Sequence, residues 1–260
     1  MKEQTKVLIV GAHHEEIEAE CPNIAAALAL AGCRVTILNP VGGWNWTFIR
    51  SQGEGVRERV LADAAAAAKE LGCEKVVWDY PVAQVDRHKP ELIDRMAEFL
   101  IGLDPEIVLM HWPLDSHADH RAIAQTTRHV LYTAANISPD DHPEYRGPRE
   151  IYAFQTGVSQ AYHFIPDLLV KTDSETMACA DRAVACFVNT AQEYVPVWRK
   201  NFHTKAEYWG NLADAPSPAE ALKFLGPKLP LDGFLLKKIL GDRVISTPFD
   251  RFFYNQDFQL

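Results

Sequence analysis

The sequence has no run approaching the roughly 20 apolar residues that cross a bilayer as a helix, so no membrane span is expected. It has no basic block either. Its 26 lysines and arginines stand against 35 aspartates and glutamates, a formal charge of −9, which argues against nucleic acid as a partner. The five cysteines (Cys21, Cys33, Cys73, Cys179 and Cys186) are odd in number, dispersed and without a C-x-x-C pair. Such a set fits a reducing compartment and small buried hydrophobes, so the expected location is cytoplasmic. Cys21 lies eight residues beyond His13 and either packs or lines a site; packing is the commoner fate of a free cysteine. Residues 1–6 run straight into a strand and lack the apolar core of a signal peptide. Internal repeats are missing, and so is a glycine-rich phosphate loop. Where G-x-G-x-x-G would follow a first strand, only Gly11 is present, and the glutamates after it would repel a pyrophosphate.

What the chain does have is an alternation of strand and helix signals, the pattern of a mostly parallel, Rossmann-like α/β sheet with helices on both faces. Strands are expected at 7–10, 34–38, 75–78 and 106–111, with later ones at 151–154 and 168–170. Helices are expected at 24–31, 57–71, 90–103, 118–134 and 175–188. The first two stop at Gly32 and Gly72, and Pro90 opens the third. A loop holding Trp44, Trp46 and Phe48 spans 42–55, and a long one is expected at 135–149. Helical pieces are expected near 205–208 and 218–225, and the last thirty or so residues are expected to fold back onto the core. We read residues 1–260 as a single domain, more irregular from about 196.

Two clusters carry the chemistry. Ala12-His13-His14-Glu15-Glu16-Ile17-Glu18 follows the first apolar strand, and His117-Ala118-Asp119-His120 follows the fourth. Loops at the carboxyl ends of strands are where sites form in open α/β sheets, so both clusters can converge on one metal ion. Glu15, Glu16 and Glu18 alone would read as a solvated first turn suited to the helix dipole. The paired histidines before them, and the second histidine cluster at an equivalent strand end, turn the reading to a metal site. His117 and His120 are three apart and share a face at a helix start, so one can bind metal while the other points at substrate. Asp119 can hold a histidine ring from behind and set its tautomer.

Together the clusters resemble the LmbE-like (PIG-L) family of metal-dependent N-deacetylases, whose motifs run A-H-P-D-D-x-E and H-P-D-H. The likeness extends to the strand before each motif, the alanine-rich helix ending Leu71-Gly72, and His120-Arg121-Ala122. Phe164-Ile165-Pro166-Asp167 and Ala219-Glu220-Ala221 share it less specifically. The resemblance implies that His13, Glu16 and His120 bind the metal, zinc in the first instance, although His and carboxylate ligands also suit iron, manganese and cobalt. It implies Glu15 as general base, His117 as general acid or oxyanion partner, and Asp119 as the group orienting His117. Arg59 falls near a family arginine that holds substrate, with a surface salt bridge as its alternative role. Trp44, Trp46 and Trp112 sit on loops at the same edge and could stack on a sugar ring or belong to the core. The implied substrate is a small-molecule N-acetylated amino sugar or glycoconjugate, and the family suggests a homo-oligomer.

The first motif departs from the family pattern. His14 replaces proline, and Glu15 and Glu16 replace aspartates, each reaching about 1.5 Å further. Catalytic groups need placement within about 0.5 Å, and Pro22-Asn23 stands where a small G-G turn is usual. His14 is left as a fourth ligand, a substrate contact or a surface residue. The reaction implied is hydrolysis of an N-acetyl group by water activated at the metal. The alternatives are an amidase acting on another small amide, such as a thiol conjugate, and a silent metal- or sugar-binding homologue.

Overall fold

The structure, a computed structural model, describes residues 4–137, 145–157, 160–213, 217–228 and 230–246. Its strands are β1 (Lys6–Val10), β2 (Arg34–Val41), β3 (Glu74–Tyr80), β4 (Ile107–His111), β5 (Glu150–Phe154), β6 (Leu168–Lys171), β7 (Ala219–Gly226) and β8 (Val244–Ser246). They form one sheet in the order β3-β2-β1-β4-β5-β7-β6-β8. The pairs from β3 to β5 are parallel; β7 pairs antiparallel with both β5 and β6, and β8 antiparallel with β6. The described helices are α1 (Glu16–Glu20), α2 (Pro22–Leu30), α3 (Thr47–Arg50), α4 (Val56–Glu70), α5 (Pro90–Leu103), α6 (Ala118–Ile137), α7 (Ser174–Ala185), α8 (Val188–Ala191), α9 (Val195–Leu212) and α10 (Leu235–Leu240). None is long and apolar enough to cross a membrane.

Helices cover both faces of the sheet, and the period of two along each strand sorts its side chains between them. Val7 and Ile9 of β1 join Val35, Ile37, Ile107 and Leu109 in a core shared with α2, α4 and α7. Leu8 and Val10 alternate with them and pack with Val108, Met110, α5 and α6. Each such side chain, once fully buried, contributes about 1.5–3 kcal/mol. The uninterrupted apolar runs of β1 and β4 are therefore what central, doubly covered strands require. Because β2 lies to one side of β1 and β4 to the other, the strand order reverses between them. That gap, at the carboxyl ends, is where such sheets open a crevice.

Strand and helix positions in the first half follow the sequence expectation, α5 residue for residue, except that the expected loop 42–55 contains the short helix α3. β2 runs through Pro40 to Val41, because the proline sits at a shift of register against β3, where no ladder donor is needed. Two expectations fail in the second half. The irregular stretch after 196 contains one 18-residue helix, α9. Residues 218–225, expected to be helical, form β7 in the interior of the sheet. Ala, Glu, Leu and Lys favour helix locally, but pairing on both edges overrides that preference. Part of the expected loop, 138–144, and the expected fold-back of 247–260 lie outside the described residues.

Candidate metal centre

β1 delivers the first cluster and β4 the second to the same crevice. The chain leaves β1 through Gly11, where any Cβ would stand 2.6 Å from Asn39 Nδ2 and 3.3 Å from Glu16 Oε2. Asn39 Nδ2 donates to His13 O at 2.5 Å, and His13 forms an isolated parallel bridge with Val41. This fixes His13 at the strand end. α1 then starts at Glu16, whose carboxylate folds back under the loop. Its Oε2 accepts the Ala12 N–H at 2.5 Å and the His13 N–H at 2.9 Å.

Three imidazoles converge on that carboxylate. Glu16 Oε1 lies 2.6 Å from His13 Nδ1 and 2.5 Å from His120 Nε2; Oε2 lies 2.6 Å from His111 Nε2. The His111 and His120 rings stack at 4.5 Å, and His117 stacks on His120 at 4.6 Å and meets His13 edge-on at 4.8 Å. His13, Glu16 and His120 each offer a ligand atom within 4.8 Å of the others. Behind them, Asp115 Oδ2 lies 3.1 Å from His120 Nδ1 and accepts from Thr156 Oγ1, while Asp115 Oδ1 accepts the His117 N–H at 2.7 Å.

Burial and charge oppose each other here. Burial lowers the pKa of His13, but Glu16 and Asp119 outweigh it and hold the ring at about 9. Burial likewise lowers His120, and Glu16 with Asp115 lifts it to about 10. Burial raises Glu16, yet His120, His111 and His13 bring it well below the usual carboxylate value. The ring protons thus stand where a cation would. A divalent ion at His13, Glu16 and His120 would replace them as the counter-charge, and two nitrogens with one carboxylate oxygen is a set that zinc accepts. The residues fit such an ion.

The sequence-predicted residues divide into two groups. His13, Glu16, His117, Asp119 and His120 come together at the crevice, while Glu15 is buried with its Oε2 against His14 Nδ1. The Asp119 carboxylate meets His13 directly and has a His117 nitrogen within 4.8 Å. Its Oδ2 lies 3.1 Å from His13 Nε2 and accepts the Ala83 N–H at 2.7 Å, whereas the Asp119 backbone N–H reaches His117 Nδ1 at 3.2 Å. His117 precedes α6, so it approaches from the loop and not from the helix face. Arg59, Trp44 and Trp112 have their partners elsewhere. The Arg59 guanidinium donates to Glu54 O and Gln52 O, Arg57 sits 5.0 Å over the Trp44 ring, and the Trp112 indole N–H donates to Tyr162 O. Trp46 is the tryptophan at the cluster, its ring 4.8 Å from that of His13. His14 is no surface residue. It is fully buried, with Nδ1 3.1 Å from Glu15 Oε2, and burial lowers its pKa to about 3. Sequence reasoning missed His111 and Asp115, since one reads as the end of an apolar strand and the other as an ordinary loop residue.

The other glutamates of the first motif are tied down by lysines. Glu18 accepts from Lys75 Nζ at 2.8 Å through both oxygens, with both side chains buried. Glu20 pairs with buried Lys205, whose Nζ also donates to Gln155 O at 2.9 Å. Glu220 of β7 accepts the Asn23 and Ile24 N–H groups at 3.1 and 2.8 Å, capping α2 where Pro22-Asn23 begins it.

Residues 8–131 match the PIG-L family, described as GlcNAc-PI de-N-acetylase. No curated protein matches the chain. Among solved structures, the fold is similar to that of the 4-carboxy-2-hydroxymuconate hydratase of Pseudomonas putida. Identity is 18% and the TM-score 0.68, over 87% of this chain and 98% of that one. It is also similar to a conserved protein of Thermus thermophilus, at 20% identity and TM-score 0.66, over 86% and 96% of the two chains. A third is the N,N'-diacetylchitobiose deacetylase of Pyrococcus horikoshii, at 17% identity and TM-score 0.65, over 86% and 85%. At such identities the likeness is one of fold.

Proposed function

Because residues 8–131 form a PIG-L (LmbE-like) family domain, we propose that the chain, acting as one domain, is a metal-dependent hydrolase that removes an acetyl group from an N-acetylated amino sugar or glycoconjugate. The observation that carries this reading is the convergence of His13, His111 and His120 on the single buried carboxylate of Glu16. His13, Glu16 and His120 hold the ion, zinc being the first candidate. When bound, a divalent ion supplies Lewis acidity to the amide carbonyl and to the attacking water.

The remaining steps fall to side chains. Burial raises the Glu15 carboxyl to about 7, against the pull of His13, and its Oε2 faces His14 Nδ1 at 3.1 Å without hydrogen-bond geometry. A carboxylate so poised accepts a proton from water near neutral pH and can hand it to the departing amine. His117 Nδ1 is engaged by the Asp119 N–H, and burial lowers the ring's pKa, so the neutral ring carries its proton on Nε2. That N–H donates to the carbonyl oxygen as charge develops on it, a contribution of about 2.7–4 kcal/mol in comparable sites. This supports His117 as oxyanion partner over general acid. Asp119 positions His13, and Asp115 positions His120. Trp46, beside His13, is the aromatic surface available to a sugar ring.

The test combines elemental analysis of protein purified without chelator with acetate release from N-acetylglucosamine, N,N'-diacetylchitobiose and an N-acetylated thiol conjugate. One divalent ion per chain, lost in His120→Ala, together with acetate from the sugars, is expected. Acetate from the thiol conjugate alone would replace the sugar reading with the amidase one. Full metal content in His120→Ala would overturn that ligand assignment, and a metallated protein silent on every amide would favour a binding protein. A fold relative that is a hydratase makes the last outcome worth following with a hydration assay.

A further inference from the structure

Glu16 does not use its two oxygens alike. Oε1 lies against the two ligand imidazoles, 2.6 Å from His13 Nδ1 and 2.5 Å from His120 Nε2. Oε2 is taken up by the Ala12 and His13 N–H groups at 2.5 and 2.9 Å, and by His111 Nε2 at 2.6 Å. His13, Glu16 and His120 make up the candidate ligand set, and His111 stands outside it.

His111 Nε2 also lies 2.8 Å from the Ala12 N, but one nitrogen cannot both accept that N–H and donate to the carboxylate. A lone pair 2.6 Å from an ionised oxygen would be repelled, so the proton sits on Nε2 and the Ala12 N–H belongs to Oε2. This tautomer leaves a lone pair on Nδ1, which is buried and has no hydrogen-bond partner among the described residues. A phenylalanine at the end of β4 would fill the same place without an orphaned nitrogen, so packing alone does not call for histidine. Nor can the ring turn away. It is fully buried, nearly parallel to His120 at 4.5 Å, and meets Phe154 at 4.8 Å.

A glutamate has one more rotatable bond than an aspartate, so its oxygens exchange places unless one of them is held. We infer that His111 is a positioning residue: it holds Oε2 of Glu16, so that an ion meets Oε1 alone. The inference rests on the metal-binding part of the reading above and not on which amide is cleaved. One oxygen and two nitrogens then come from the protein, and the remaining positions stay open to water and substrate. A carboxylate free to bind through both oxygens would fill one of them.

Metal-free protein is titrated with divalent cobalt, whose visible absorption reads affinity and coordination number together. His111→Phe keeps a ring between His120 and Phe154 and removes the N–H, whereas His111→Gln places an amide N–H near the position of Nε2. Affinity about 10–100-fold weaker in His111→Phe, with an altered spectrum, is expected, and His111→Gln should return towards wild type in both. Wild-type affinity and spectrum in His111→Phe would overturn the assignment, and so would equal losses in the two variants. Unfolding of each metal-free variant is followed alongside. If His111→Phe does not fold, His111→Asn, whose shorter amide falls near Nδ1, is compared with His111→Gln on the same two readouts. A wild-type protein that binds no cobalt would overturn the metal centre itself and the inference with it, whereas binding indifferent to His111 overturns the inference alone.

Discussion

Glu16 and Glu18 sit two residues apart on the same five-residue helix and are both buried, yet they do different work. Glu18 is closed by the Lys75 ammonium on both oxygens. An ammonium has only protons to offer and no lone pair of its own, so Lys75 cannot join Glu18 as a ligand to a cation. Among side chains Glu16 is answered by imidazoles, beside the Ala12 and His13 backbone N–H groups, and each imidazole that gives up its proton exposes a nitrogen lone pair. The same kind of carboxylate, buried in both places, is a structural anchor in one case and, on the reading proposed above, part of a cation site in the other. The partner's chemistry decides, not the glutamate's.

The largest effect expected on the Glu16 side is a change beside it that spares the ion. Glu15→Gln preserves size and should keep metal content while kcat falls about 10²–10⁴-fold, the usual contribution of general acid–base catalysis. Elemental analysis alongside steady-state turnover measures both, and unchanged kcat would remove Glu15 as the base.

On the Glu18 side the loss should be in folding. Glu18→Gln leaves a buried ammonium unpaired and is expected to cost about 3–5 kcal/mol in denaturant unfolding without changing metal content. A Glu18→Leu, Lys75→Met double variant should regain most of that stability. If Glu18→Gln instead lost the metal at full stability, the two carboxylates would not be separable.

A smaller change is expected from the support behind the ligands. Asp115→Ala removes the group facing His120 Nδ1 and should weaken metal affinity about 10–100-fold, read by competition with a chromogenic chelator. Affinity equal to wild type would reduce Asp115 to an anchor for the loop before α6.

The smallest effect is one of pH. Without metal, His13 and His120 hold protons up to about 9 and 10, above the unfolded value of about 6.5. Their contribution to stability is therefore complete below about pH 6.5 and is lost as pH rises through 9 to 10. Chelated protein should lose a few degrees of melting temperature over that interval, while metal-loaded protein should not. The Glu18–Lys75 pair contributes no such difference between the two forms, so parallel curves would break the contrast.

How much of this was legible beforehand depended on whether the signal was local. β1 and β4 read correctly because central strands demand unbroken apolar runs, and both motifs were found because they follow those runs. His111 was not legible, since its role exists only because β4 lies next to β1 and brings its last side chain under Glu16. Asp115 looks like any turn residue until Thr156, 41 positions later, is placed against it. His14 was left as a fourth ligand, a substrate contact or a surface residue; it is buried, in a pocket closed by Gly43, where a Cβ would stand 2.6 Å from its Nδ1. β7 misled because its composition suits a helix and only its two neighbours make it a strand.

The ties that hold the first motif from behind run almost the length of the chain. Asn23 to Glu220 spans 197 positions, and Glu20 to Lys205 spans 185. Contacts so distant in sequence require long loops to close before they reward the chain, which slows their formation. During synthesis, then, the histidines and glutamates of residues 13–20 are made well before β7 and stay without their full support until β7 is inserted between β5 and β6. If the proposed centre binds an ion, its affinity for the growing chain is expected to rise only once β7 is in place.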